Sequence, residues 1–189
     1  SAGLNGIRGM VLDQKQASPQ DFDKEEFKKL DSYHKAVVWE THVRDFSNEI
    51  KDCKYKGKYL SFTETGLKNE NGIPVGIDYL KELGITHVQL MPVYDFGSVD
   101  ETDSTQFNWG YDPQNYNVPE GSYSTDPSNG SVRVVEFKQM IQALHANNFS
   151  VVMDVVYNHT QKENSNLNRC VPYYYYRYQD DNKISNGSG

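Results

Sequence analysis

The sequence predicts an α/β protein whose strands run parallel and alternate with outer helices. Three observations predict it. Short apolar, β-branched runs occur at 36–43, 85–91 and 150–156, helical periodicity fills intervals between them, and glycine and proline punctuate the changes of pattern. Strands joined through helical crossovers pair in parallel, with the helices packed outside the sheet. Two architectures share this order, an open doubly wound sheet and the start of an eightfold barrel. Both place ligands at the loops that follow the carboxyl ends of the strands, here the segments after Val43, Met91 and Val156.

The elements follow in order. Residues 1–32 are polar and mixed and read as an approach segment, with a short helix expected over Asp21–Leu30. Ala36–Val43 is the first strand, closed by the charged pair Arg44 and Asp45. After a polar, Lys-rich stretch, Ile73, Ile77, Leu80 and Leu83 repeat at helical spacing, and Gly84 stands where a left-handed C-cap belongs. Ile85–Met91 is the second strand, and Pro92 ends it because proline cannot donate to the ladder.

Residues 93–130 form a long segment rich in Asp, Asn, Gly, Tyr and Pro. Trp109 and several tyrosines and phenylalanines argue against disorder, so it reads as a binding loop without secondary structure of its own. Ser131 is a candidate cap for a helix whose face carries Val134, Phe137, Ile141 and Leu144, and Ser150–Val156 is the third strand. The run Tyr173–Tyr176 reads either as part of a ligand cleft or as an edge strand with alternate rings buried, and 185–189 as a flexible end.

Composition narrows the function. A chain of 189 residues with 37% apolar and 13% aromatic content suits one packed domain. A net charge of −7 without a long Lys/Arg run argues against nucleic acid and anionic membranes as partners, and a neutral ligand fits better. No apolar stretch approaches the roughly 20 residues of a membrane helix, and Ser1–Leu4 lacks a signal-peptide pattern. The compartment, extracellular or cytoplasmic, stays open. Cys53 and Cys170 support neither a disulfide framework nor a zinc site.

Asp154 interrupts an otherwise continuous apolar run. A carboxylate inside a strand covered on both faces needs a partner, since burying it alone costs several kcal/mol. No nearby arginine supplies one, so the expected partner lies in a later part of the fold. Three strands also leave an open parallel edge.

Asp154-Val155-Val156-Tyr157-Asn158-His159-Thr160 resembles the first signature region of the α-amylase superfamily of glycoside hydrolases. Phe107-Asn108-Trp109-Gly110-Tyr111-Asp112-Pro113 resembles the type I pullulanase signature, with Phe107 replacing its first tyrosine. Glu40–Ser47 and Leu90–Val93 are similar to the first and second barrel strands of that family, and Val171-Pro172 with the tyrosine run to its loop after strand three. The resemblance implies the first three β/α units of a (β/α)8 TIM barrel, incomplete in this chain, with 33–189 as the N-terminal part of the catalytic barrel.

It further implies retaining cleavage of α-1,6 branch linkages in pullulan, amylopectin or limit dextrins. Such chemistry uses a nucleophile and an acid/base carboxylate roughly 5 to 5.5 Å apart. In the family these follow strands four and five, so no catalytic residue is assigned in this chain, which alone is expected to be inactive. The implied substrate-binding residues are His159, which bonds sugar hydroxyls, Tyr111, whose ring supports the sugar face, and Asp112 and Trp109 in the same loop. Asp154, Asn158 and Asn108 support the site. Asn158 ligates calcium in many relatives, but calcium is left unassigned and no cofactor is expected. The implied partners are an α-glucan and a second polypeptide carrying the rest of the barrel. An isoamylase- or branching-enzyme-like relative and a non-catalytic α-glucan-binding fragment are the alternatives.

Overall fold

Short apolar runs give short strands and leave much of the chain to long connections. The computed structural model describes residues 9–26 and 29–185. In chain order the elements are β1 (Val38–Thr41), α1 (Ile77–Glu82), β2 (His87–Leu90), β3 (Tyr94–Phe96), β4 (Pro113–Pro119), α2 (Gly130–Ala146), β5 (Ser150–Met153) and α3 (Asn166–Cys170). Short 3-10 turns occupy Phe22–Lys24, Tyr33–Lys35 and Tyr59–Thr63.

The central sheet is parallel, in the order β1-β2-β5. Its register aligns Val38 with His87 and Ser150, and Thr41 with Leu90 and Met153. All three strands therefore end at one level, and the segments after them leave from one edge. The ladder runs one step further through Met91 N to Thr41 O (2.9 Å) and Asp154 N to Leu90 O (3.0 Å). Pro92 then offers no N–H, which stops β2.

Val88 and Leu90 are fully buried between the sheet and its cover. That cover comprises Ile77 and Leu80 of α1, Met140 and Leu144 of α2, and Tyr59 and Phe62 of the third 3-10 turn. Each such side chain contributes up to about 1.5–3 kcal/mol by burial. A helix of six residues does not stand alone in water, so burial of Ile77 and Leu80 holds α1 in place. Gly84, at φ 69°, supplies the left-handed stop expected of it. On the outside of α2, Lys138 Nζ donates to Ala17 O and Ser18 Oγ, Gln142 to Gln20 O, and His145 meets Glu25 at 3.1 Å, so residues 17–25 strap that helix.

Several expectations are corrected. The strands are four residues each, shorter at both ends than 36–43 and 85–91, and the third stops at Met153 rather than Val156. Ile73 lies outside α1, in a turn closed by the Lys68–Pro74 bridge. The 93–130 segment is not structureless: β3 and β4 form an irregular antiparallel pair within it. The cap of α2 is Asn129, whose Oδ1 accepts from Ser131 N and Oγ. The buried line of α2 is Arg133, Glu136, Met140 and Leu144, while Val134 and Ile141 are half-buried. Among the described residues of the expected 21–30 helix only Phe22–Lys24 is helical, and Phe27 and Lys28 lie outside the described residues. The tyrosine run forms turns and not an edge strand, with Tyr173, Tyr174 and Tyr175 exposed and Tyr176 bonded to Thr160 and Ser165.

Candidate functional site

The loop between β3 and β4 and the segment after β5 meet at the strand ends. Asp154 is the first residue beyond β5, half-exposed, and its Oδ2 accepts from the Tyr111 phenol at 2.7 Å. This corrects the expectation of a buried mid-strand carboxylate whose partner lies elsewhere in the fold. One residue past the strand its side chain is half-exposed, and a tyrosine 43 residues earlier donates to it. Burial, together with the neighbouring Asp154 carboxylate, pushes the Tyr111 phenol up to about 12, so it remains a donor at neutral pH.

His159 closes the same contact. Its Nε2 lies 2.6 Å from the Tyr111 carbonyl oxygen, and Asn158 Nδ2 lies 3.0 Å from its Nδ1. A carbonyl only accepts and an amide NH2 only donates, so the ring carries its proton on Nε2. The backbone carbonyl of His159 accepts from the Tyr116 hydroxyl on β4. Tyr111, Asp154 and His159 thus form one polar group on two loops, each loop fixed by the other.

Asn108 and Asp112 brace the aromatic loop from beneath. Asn108 Nδ2 donates to Asp112 Oδ1 at 2.8 Å and to Gly97 O at 3.1 Å, and its Oδ1 accepts from Gly110 N at 2.8 Å. Asp112 Oδ2 accepts from Ser98 Oγ at 2.7 Å, and Gln161, beyond β5, also reaches Ser98. Both Asp112 oxygens are engaged inside the loop, so here it orders structure. Gly110 holds φ at 91°, and a Cβ there would lie 2.7 Å from Pro92 O. Trp109 stands apart, 59% exposed and edge-on to Phe107, outside the Tyr111–Asp154–His159 group.

Sequence reasoning missed the buried charges under this loop. Arg133 of α2 makes a paired contact with Glu101 (2.8 and 2.7 Å) and approaches Asp95 at 3.8 Å, with all three buried. Glu120, also fully buried, accepts from Phe96 N and Ser122 N. Burial first, then the charges of Glu101 and Asp95, push Glu120 up to about 8, which leaves it neutral near pH 7. These residues are 6 to 38 positions apart, and no local pattern marks them. Asp95, Glu101 and Glu120 are the one group of three or more metal-capable side chains among the described residues. The Arg133 guanidinium already supplies their cation. Asn158 is exposed, and its side-chain amide lies against His159 Nδ1.

Residues 20–183 match the α-amylase catalytic-domain family. The chain belongs to that family. Its curated relatives include the pullulanase of Bacillus subtilis strain 168, 47% identical over 157 residues, which cover 82% of this chain and 22% of that protein. Among solved structures, pullulanase from Bacillus acidopullulyticus superposes with a TM-score of 0.92 at 47% identity, over 100% of this chain and 24% of that one. Pullulanase from Paenibacillus barengoltzii, in complex with maltohexaose and α-cyclodextrin, gives 0.90 at 46%, over 96% and 29%. The chain is thus similar in sequence and fold to a partial region of these pullulanase-type members of the α-amylase superfamily, as part of a (β/α)8 barrel. It spans under a third of the length of these relatives. They carry the matching region within one longer chain, and nothing here supports a separate second polypeptide.

Proposed function

We propose that this chain supplies the sugar-holding part of the active site of a debranching glycoside hydrolase that cleaves α-1,6-glucosidic linkages in pullulan and related α-glucans. The carrying observation is the Tyr111–Asp154–His159 group, set at the carboxyl edge of a parallel sheet where barrel enzymes bind substrate. β1, β2 and β5 are then the first three barrel strands, and 33–189 is the N-terminal part of the catalytic barrel, with 1–32 leading into it. The α-glucan complex of the Paenibacillus relative supports the substrate class.

The Tyr111 ring, 40% exposed, offers an apolar face to the C–H face of a glucose unit, and its hydroxyl is held by Asp154 so that the ring keeps one orientation. His159, held in its Nε2–H form by the Tyr111 carbonyl and Asn158, stands at the same edge and reaches a sugar hydroxyl by exchanging its bond to that carbonyl. Trp109 widens the aromatic surface. Asn108 and Asp112 keep the loop closed, and Asn158 sets the His159 tautomer. The nucleophile and acid/base carboxylates of a retaining mechanism come from the remainder of the barrel. This chain alone is therefore inactive.

The test is pullulan hydrolysis by the complete catalytic domain, followed by proton NMR of the fresh product. The proposal expects maltotriose in the α configuration from the complete domain and no product from residues 1–189 alone. Exclusive cleavage of α-1,4 linkages, or a β-configured product, would refute it.

A further inference from the structure

A cavity of about 210 Å³ opens beside Asn108, and Tyr111, Asp154 and His159 take no part in its lining. Arg44, Lys56 and Lys58 line it against a single carboxylate, Asp103. Asp103 is already occupied, since Oδ1 accepts from the amide and hydroxyl of Thr105 and Oδ2 from Gln106. Neither Arg44 nor Lys56 forms an ion pair among the described residues.

Arg44 is held in place even so. Its guanidinium lies 5.5 Å from the centre of the Phe107 ring. Gly57, at φ 68°, brings its turn against the arginine stem, where a Cβ would lie 3.2 Å from Arg44 Cγ. Fixing a long cationic side chain costs conformational entropy, and a carboxylate partner, the usual compensation, is missing from this wall. Lys58 is half-buried and spends one proton on Ser122 O at 2.7 Å, which leaves two donors. Its ammonium is pulled below the usual lysine value, first by burial. Glu136 and Glu120 offset the charge of Lys58 in part, while Arg44 and Lys56 have no ion-pair partner on the cavity wall, and an oxyanion in the cavity supplies one. The volume equals several waters at about 30 Å³ each, enough for a phosphate group and part of what it is bonded to.

We propose that this cavity binds a small phosphate-bearing anion, inorganic phosphate or a sugar phosphate monoester, with Arg44 making the paired contact and Lys56 and Lys58 balancing the charge. Arginine matches the geometry of phosphate oxygens through two parallel N–H donors, and lysines add point charge. The site is separate from the glucan-holding group and does not rest on the debranching reading.

The test is calorimetric titration of the complete catalytic domain with sodium phosphate and with glucose 1-phosphate, against chloride at equal ionic strength. Saturable binding is expected, weakened about tenfold or more by Arg44→Gln, which removes charge-assisted hydrogen bonds. Lys56→Gln, at an exposed position that leaves folding intact, should weaken it a few-fold. Equal affinity for both ligands identifies the phosphate group as the recognised chemistry, and tighter glucose 1-phosphate binding identifies the monoester. Heat matched by chloride, or binding of both ligands that survives both substitutions, overturns the proposal.

Discussion

The Tyr111 phenol donates a 2.7 Å hydrogen bond to Oδ2 of Asp154, joining the loop between β3 and β4 to the first residue beyond β5. Two loops that carry the residues of the proposed sugar site are thereby held against each other before any ligand arrives, and the ordering cost is met in folding rather than in binding.

Tyr111→Phe keeps the ring and removes that donor. A hydrogen bond of this kind contributes roughly 0.5–1.5 kcal/mol net. The variant in the complete domain should therefore lose about twofold to tenfold in kcat/KM on pullulan. With the phenol held near 12, the ratio of wild type to variant should stay flat across the neutral pH range in steady-state kinetics.

Gly110→Ala should act through stability. The new Cβ would lie 2.7 Å from Pro92 O and 2.9 Å from Pro92 Cβ, at a φ of 91° that suits glycine. Collision and backbone strain together cost roughly 2–5 kcal/mol. Urea unfolding should show that loss, with pullulan activity falling as the Asn108–Asp112 brace opens.

Glu120 gives a pH signature. Its folded-state value of about 8 lies above the ordinary carboxyl value of 4.5, so the folded protein holds this proton more tightly than the unfolded chain. The stability that Glu120 lends is full below pH 4.5 and is lost as pH rises through about 8. Glu120→Gln, which cannot ionise, should flatten the fall in melting temperature across that window, whatever its effect on the baseline. An unchanged slope would contradict the assignment.

Arg133→Met removes the cation from the buried group and leaves Glu101 and Asp95 without it. Breaking a buried pair from one side costs about 3–5 kcal/mol. The double variant Arg133→Met with Glu101→Leu should recover part of that loss. A double-mutant cycle by denaturant unfolding measures the coupling.

The parallel order was legible in the sequence because Val37–Trp39, Val88–Leu90 and Val151–Met153 carry β-branched and apolar residues in runs of strand length. The β3–β4 pair was not. Its longer strand, Gln114-Asn115-Tyr116-Asn117-Val118, is mostly polar and bounded by two prolines, with alternation limited to Tyr116 and Val118, and the ladder is irregular. At the site, the signature residues Tyr111 and His159 stood out by resemblance, but their mutual contact did not, since it is made through the Tyr111 backbone carbonyl. Asp154 was singled out for the wrong reason: its N–H makes the last bond of the ladder and the loop starts there, so its half-exposed carboxylate meets Tyr111 instead of a buried partner. Asn129 and Ser131 are both cap-forming residues, and only their geometry separates them.

The most direct test of the sugar-holding role is kcat/KM on pullulan for the complete catalytic domain carrying Tyr111→Ala, with the melting temperature measured alongside. Loss of the ring proposed to position the sugar should lower kcat/KM by about 10²-fold, while loss of its one bond to Asp154 lowers the melting temperature by only about a few degrees. A value within about twofold of wild type would contradict the account.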